Sequence, residues 1–427
     1  MYKIIVLFIF SLFFTSCSYV QSKPPKGNEK AFLQEDMYIL FALRAEQIGD
    51  YNSASELFET LYEKSNKKEY IYRSLQNDLT AKSYDKVIQR VNKLLKDAPY
   101  DAKLVRLKIV ALFETYRLDE AIKLSTELAS KTKEPNDYLL TSEIYKKRGE
   151  FDLAVRYLES AYAKEHNEKI LDQMSIVLYV NLDRKKEAIA HLETHSRILG
   201  CSQLVCLRLI AFYSNDNNID GLLSTYLRYY EINATEEVAH KIVQIYSYKK
   251  DYKNLISFLE KSNSDDEVLL QLYSSMKKYK KAYLLADKLY RKTADINYLG
   301  ESAIFEYESQ KGKKSKELLN RVIKKLEKVI AEENQPMYLN YLGYILIDHD
   351  IDVKNGMNYI KEVLKIDPNS AFYLDSLAWG YYKLGQCKKA DEIISKVREL
   401  EGGNDPEVLL HQEEIDKCLK NIKVNSR

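Results

Sequence analysis

The chain has 427 residues, 45% hydrophobic and 30% charged, with only 13 Gly and 7 Pro. This excludes collagen-like, low-complexity and wholly disordered classes, and it leaves too few turn residues for an all-β protein. The 65 Lys and Arg against 63 Asp and Glu leave a net charge of +2 with the signs interspersed, so no global basic field exists for generic nucleic-acid binding.

The first element is MYKIIVLFIFSLFFTSC, residues 1–17. Its apolar run, Ile4 to Phe14, is too short to cross a bilayer core of about 30 Å, which takes about 20 helical residues. It has the length of a secretory signal core. The bare residues admit an ordinary signal peptide with an incidental Cys. The Thr15-Ser16-Cys17 ending resembles the lipobox of bacterial lipoproteins. That resemblance implies a signal peptide over 1–16, a lipid on Cys17 as the new N-terminus and, from Ser18 in place of Asp, an outer-membrane anchor facing the periplasm. Residues 17–30, with Pro24, Pro25 and Gly27, read as a flexible tether.

From residue 31 the chain repeats. GDYNSASELFETL (49–61), YRLDEAIKLSTEL (116–128), GEFDLAVRYLESA (149–161) and KYKKAYLLADKL (278–289) share one pattern: a turn, an aromatic or aliphatic residue, a small residue, then a helix. The small or aliphatic marker falls at Ala54, Val87, Ala121, Ala154, Ala188, Leu222, Leu255 and Ala282, in steps of 33, 34, 33, 34, 34, 33 and 27. Tyr145, Tyr179, Tyr213, Tyr246 and Tyr273 each stand nine residues before a marker, so part of the Tyr excess (35 copies, against one Trp) is a repeat position. Pro99, Pro135, Pro336, Pro368 and Pro406 fall between helix pairs, where proline suits a helix start.

A helix–turn–helix unit of this period resembles the tetratricopeptide repeat. The closest matches are YLNYLGYIL (338–346) and YLDSLAWGYYKLGQCKKA (373–390), with Leu377, Ala378, Tyr381, Gly385 and Ala390 in family positions. The resemblance implies an all-α solenoid of helical hairpins, a right-handed superhelix of about 11 repeats. It divides the body into a degenerate array over 31–292, an irregular seam over 293–335 with one long helix from Lys313 to Glu332, and a well-formed pair with a capping helix over 336–427. In the capping helix Val408, Leu409, Ile415 and Leu419 are the apolar face. A lone hairpin cannot bury its apolar face, so stability comes from stacking. In this family certain first-helix positions line the concave surface. Here they are Met337, Asn340, Tyr344, Ile347 and Asp348, then Phe372, Asp375, Trp379, Tyr382 and Lys383, with Trp379 as an aromatic anchor or, alternatively, packed against the next helix. Earlier first helices offer Lys146, Lys147, Gln173, Asn181, His240 and Gln244.

No phosphate-loop, dinucleotide, nucleophile-elbow or HExxH string occurs. His191 and His195 stand four apart, but the repeat register puts one on the surface and one in the packing, with no third ligand nearby. No catalytic residue, cofactor or metal is therefore expected. Beyond Cys17 there are Cys201, Cys206, Cys387 and Cys418. An even number in an exported chain suggests two disulfides, and sequence distance favours 201 with 206 and 387 with 418; four buried thiols are the alternative. The expected function is a non-catalytic scaffold that docks protein segments of envelope assembly, pilus, secretion or cell-wall complexes. A glycan-binding accessory of a peptidoglycan enzyme is the alternative.

Overall fold

The small residues that mark the repeat are where two helices touch. In the computed structural model, which describes residues 31–97 and 100–425, Ala54, Val87, Ala121, Ala154, Ala188 and Ala282 have no exposed surface. Each sits at the start of a second helix, packed under the first. The five repeat tyrosines are buried as well. The segments expected to be a signal peptide (1–16) and a tether (17–30), with Cys17, lie like Pro99 outside the described residues.

Between the two helices of a hairpin the chain reverses through one residue in the left-handed backbone region. That residue is Lys82, Tyr116, Asp183, Asn217, Lys250, Lys277 or Asp350, and glycine at Gly49, Gly149, Gly312 and Gly385. A left-handed conformation costs a non-glycine residue roughly 1–2 kcal/mol, so most of these turns are imposed by the packing on either side. Aspartates then cap several second helices: Asp50 accepts from the Ser53 amide, Asp251 from Asn254 and Asp352 from Asn355.

The described helices pair into eleven hairpins followed by one last helix, Pro406–Asn425. Two compact units divide between Leu222 and Leu223, within the helix Ile219–Ile232. The first unit stacks the hairpins 35–65, 68–97, 102–132, 135–165 and 168–199. In the last of these, the first helix Glu168–Ile176 ends in a π-helical turn, Val177–Asn181. The second unit stacks 236–262, 266–293, 296–332, 336–366 and 371–397, then the last helix. The stretch 293–335 thus lies inside the second unit. Its irregularity is a six-residue connection, 310–315, in place of the usual tight turn. The long helix starts at Lys316 and not at Lys313, because the Ser315 hydroxyl accepts from the Leu318 amide and caps it there.

The two helices of the hairpin 336–366 approach closely through a pair of glycines. A Cβ on Gly356 would lie 2.6 Å from the Gly343 carbonyl oxygen, and one on Gly343 would lie 2.8 Å from the Gly356 oxygen. Gly356→Ala should therefore destabilise the protein by about 2 kcal/mol, although alanine is the better helix former by about 1 kcal/mol. Urea unfolding tests this, and unchanged stability would show that the hairpin can open without cost.

Charge pairs tie helices together within a hairpin, as at Asp78, and between neighbouring hairpins, as at Asp137. Asp78 is fully buried and takes Lys86 and Arg90; Asp137 takes Arg106 and the Thr132 hydroxyl. At the start of the array Glu35 is 3% exposed. It accepts from Lys67 Nζ at 2.7 Å and from the Tyr70 hydroxyl at 2.6 Å. Lys67 and Tyr70 hold its carboxyl down at about 2, against the opposing effect of burial. Its folded value lies below its unfolded value of 4.5, so its contribution is complete above that pH and is lost as pH falls toward about 2. The melting gap between wild type and Glu35→Gln should narrow steadily from pH 5 to pH 2. A constant gap would contradict the assignment.

Candidate functional site

The first helices Pro336–Asp348 and Ala371–Lys383 carry the residues expected to line an open groove. The structure places the last helix over four of them, Tyr344, Asp375, Trp379 and Tyr382. Trp379 is 8% exposed. Its Nε1 donates to Asp348 Oδ1 at 2.9 Å, and its ring stacks between Tyr382 and His411 at centroid distances of 4.5 and 4.1 Å. Asp375, equally buried, takes an N–H from His411 Nδ1 at 2.9 and 3.0 Å to its two oxygens. The Tyr344 hydroxyl donates to Glu407, and the Tyr382 hydroxyl to Glu414 at 3.4 Å. Burial and the Glu407 carboxylate push the Tyr344 hydroxyl well above its ordinary range. Lys383 Nζ lies over the Trp379 ring and donates to the Asp348 carbonyl and to Asp350.

Three expectations are corrected here. Trp379 and Asp375 are not open to a ligand, because His411 fills the space in front of both. Ile347 has no exposed surface; it packs in the cluster with Met357, Ile360, Leu377 and Trp379. Tyr344, Tyr382 and Lys383 are half-buried, and Asn340 is partly shielded. Met337 and Phe372 alone in this set are exposed, by 45% and 61%. The last helix does bury Val408 and Ile415, but Leu409 is exposed. The signal for its second role was the polar spacing Glu407, His411, Glu414, at i, i+4 and i+7, which puts three hydrogen-bonding groups on one stripe.

The last helix is also bonded covalently. Cys418 is joined to Cys387, the first residue of the helix Cys387–Val397, with Cα atoms 5.9 Å apart. In the first unit Cys201 is joined to Cys206 across the capped start of the helix Gln203–Asn215, with Cα atoms 5.4 Å apart. The histidine pair separates as the register required. His195 is buried and bonded to the Tyr162 hydroxyl and Glu168, while His191 stays at the surface near Glu187. Among the described residues, Glu159, Glu187 and His191 bring three ligand atoms within 4.8 Å of one another, but Arg184 already holds Glu187 in a two-pronged pair.

Away from the last helix the first-helix faces are less occupied. His240 and Gln244 hydrogen-bond each other at 2.8 Å on the surface. His240 borders a cavity of about 470 Å³ lined also by Glu236, Glu237, Val243 and Asp265. The Tyr298 hydroxyl donates to Glu267 at 3.0 Å. Burial pushes the carboxyls of Glu301 and Glu308 up. Among the described residues, three side-chain oxygens are shielded from water without a hydrogen-bond partner: Gln173 Oε1, Glu301 Oε2 and Asn340 Oδ1. All three stand at one place in the repeat. Gln173 to Asn181, Glu301 to Ser309 and Asn340 to Asp348 each run eight residues to the end of a first helix, as do Asp375 to Lys383. An unpaired buried acceptor costs roughly 1–3 kcal/mol.

No protein-family model matches the chain. It is 23% identical over 302 residues to a TPR repeat-containing protein of Methanocaldococcus jannaschii, covering 68% of this chain and 48% of that protein. The array is of the tetratricopeptide type. The chain spans about half the length of that archaeal relative. Among solved structures it is similar to Naa15/Naa10 bound to HypK-THB, with a TM-score of 0.35 and 13% identity, covering 82% of this chain and 67% of that one. It is also similar to the APC/C hetero-tetramer Cut9-Hcn1, with a TM-score of 0.34 and 11% identity, covering 90% and 97%.

Within the tetratricopeptide array Trp379 is a packing residue. Trp379→Ala should cost about 3–5 kcal/mol in urea unfolding, as expected for a buried aromatic. A variant of unchanged stability would return the indole to the groove.

Proposed function

We propose that the protein is a non-catalytic scaffold whose first-helix faces hold helical segments of protein partners. The observation that carries this reading is intramolecular. The last helix lies on the faces of two first helices through Tyr344, Asp375, Trp379 and Tyr382, so this surface accepts a helix with both polar and aromatic contacts. Burying a docked helix on preformed side chains needs little rearrangement of the scaffold. The alternative reading, a glycan-binding accessory, loses its leading aromatic, because Trp379 already stacks on His411.

In this proposal the protein works at the bacterial envelope. The lipobox-like ending at Cys17 would hold it on the outer membrane, facing the periplasm, where it would serve assembly, pilus, secretion or cell-wall machinery. Two bonded cysteine pairs fit an oxidising compartment. No described helix is long and apolar enough to cross a membrane.

The test places a photo-crosslinking residue at Met337 or Phe372, and at Lys389 on a second helix as control. Capture of one defined protein from Met337 and Phe372, and none from Lys389, is the expected result. Equal capture from all three positions would refute a specific face. In the same cells, Cys17→Ser should move the protein from the membrane pellet to the soluble fraction, and unchanged sedimentation would remove the anchor from the proposal.

A further inference from the structure

The last three hairpins each present one acceptor at the same place on the first helix: Glu301, Asn340 and Asp375, each eight residues from its helix end. The third is filled. Asp375 receives the His411 N–H, brought by a helix of this same chain. The first two are not. Glu301 Oε2 and Asn340 Oδ1 are shielded from water and have no hydrogen-bond partner. Neither side chain takes part in an ion pair among the described residues. Native proteins leave few buried polar atoms in this state, and those they leave call for a reason.

We propose that Glu301 and Asn340 continue the row that His411 closes, and that they receive N–H donors from a basic helical segment of a protein partner. This rests on the scaffold reading above and names the partner's chemistry. The last helix supplies the template: it is helical, it lies on this face, and its donor enters at the equivalent acceptor. An aspartate or glutamate accepts only, when ionised, so the donor at Glu301 is best a cation. Glu308, two turns further along the same helix, faces Lys314 and Lys277, whereas at Glu301 itself the nearby charge is Asp295, with Glu267 on the preceding first helix beside Tyr298, so the surroundings of Glu301 favour positive charge. Packed helices lie about 8–10 Å apart. A bound helix rises 1.5 Å per residue, so donors about seven residues apart would reach both acceptors.

The experiment uses the full oxidised chain and a fluorescent helical peptide with two Arg seven residues apart, read by anisotropy. Wild type is expected to bind it, and affinity is expected to fall with added salt. Glu301→Leu with Asn340→Leu should weaken binding tenfold or more while melting stays unchanged or rises, because each replaced group had no partner to lose. Glu301→Gln alone, which keeps the shape and removes the charge, should weaken binding as well. Equal binding to the double variant, equal binding of a peptide with both Arg changed to Glu, or a clear drop in melting for both Leu and Gln variants would each overturn the assignment. If the double variant still captures the same protein through the Met337 crosslinker, the row is wrong and the scaffold reading stands. Absence of any capture by wild type would end the scaffold reading first.

Discussion

A two-helix hairpin has more apolar surface than it can hide, and the rest of this molecule follows from that shortage. Every hairpin must lend one face to the next, so the positions that touch a neighbour are held to small or aromatic residues while the others drift. The contact between the two helices of one hairpin is as demanding, and Ala54, Val87, Ala121 and Ala154 recur there in steps of 33 or 34 without exposed surface. The same contact is why the turns tolerate Lys82, Tyr116 or Asp183 in a backbone region that glycine would suit better. Packing fixes the distance between two helices, and the connection has to comply.

Stacking leaves a problem at each end. At the start of the array, Glu35 is drawn into a buried pairing with Lys67 and Tyr70 at the start of the following hairpin. At the far end, the final helix covers the last second helix with Val408 and Ile415 and reaches the first-helix faces with Glu407, His411 and Glu414. One helix thus serves as hydrophobic cap and as occupant of the binding face. The bond from Cys418 to Cys387 holds it to the hairpin it covers.

Such an occupied end directs attention to the part of the face that is left. The acceptors at Glu301 and Asn340 are a cost the fold carries without visible structural return, and they repeat the place at which Asp375 is satisfied. The carboxyl of Glu301 is pushed up by burial and by the nearby Asp295.

The amino-acid sequence by itself determined the all-α class, the hairpin unit and its register. Those depend on interactions between residues a few turns apart, and small residues, tyrosines and prolines at fixed intervals report them directly. Exposure at the C-terminal end was decided by the tertiary structure. Trp379, Asp375 and Ile347 occupy groove positions in the repeat pattern, yet they are buried: a helix some thirty residues later folds back onto Trp379 and Asp375, and Ile347 packs against Met357, Ile360 and Leu377. No local periodicity records that event: His411 reads as one polar residue on a charged helix until Asp375 and Trp379 are brought within 3 and 4 Å of it. The row of unfilled acceptors was hidden for the same reason. A polar residue on a first helix looks solvated in the sequence, and only the packing of neighbouring hairpins takes the water away.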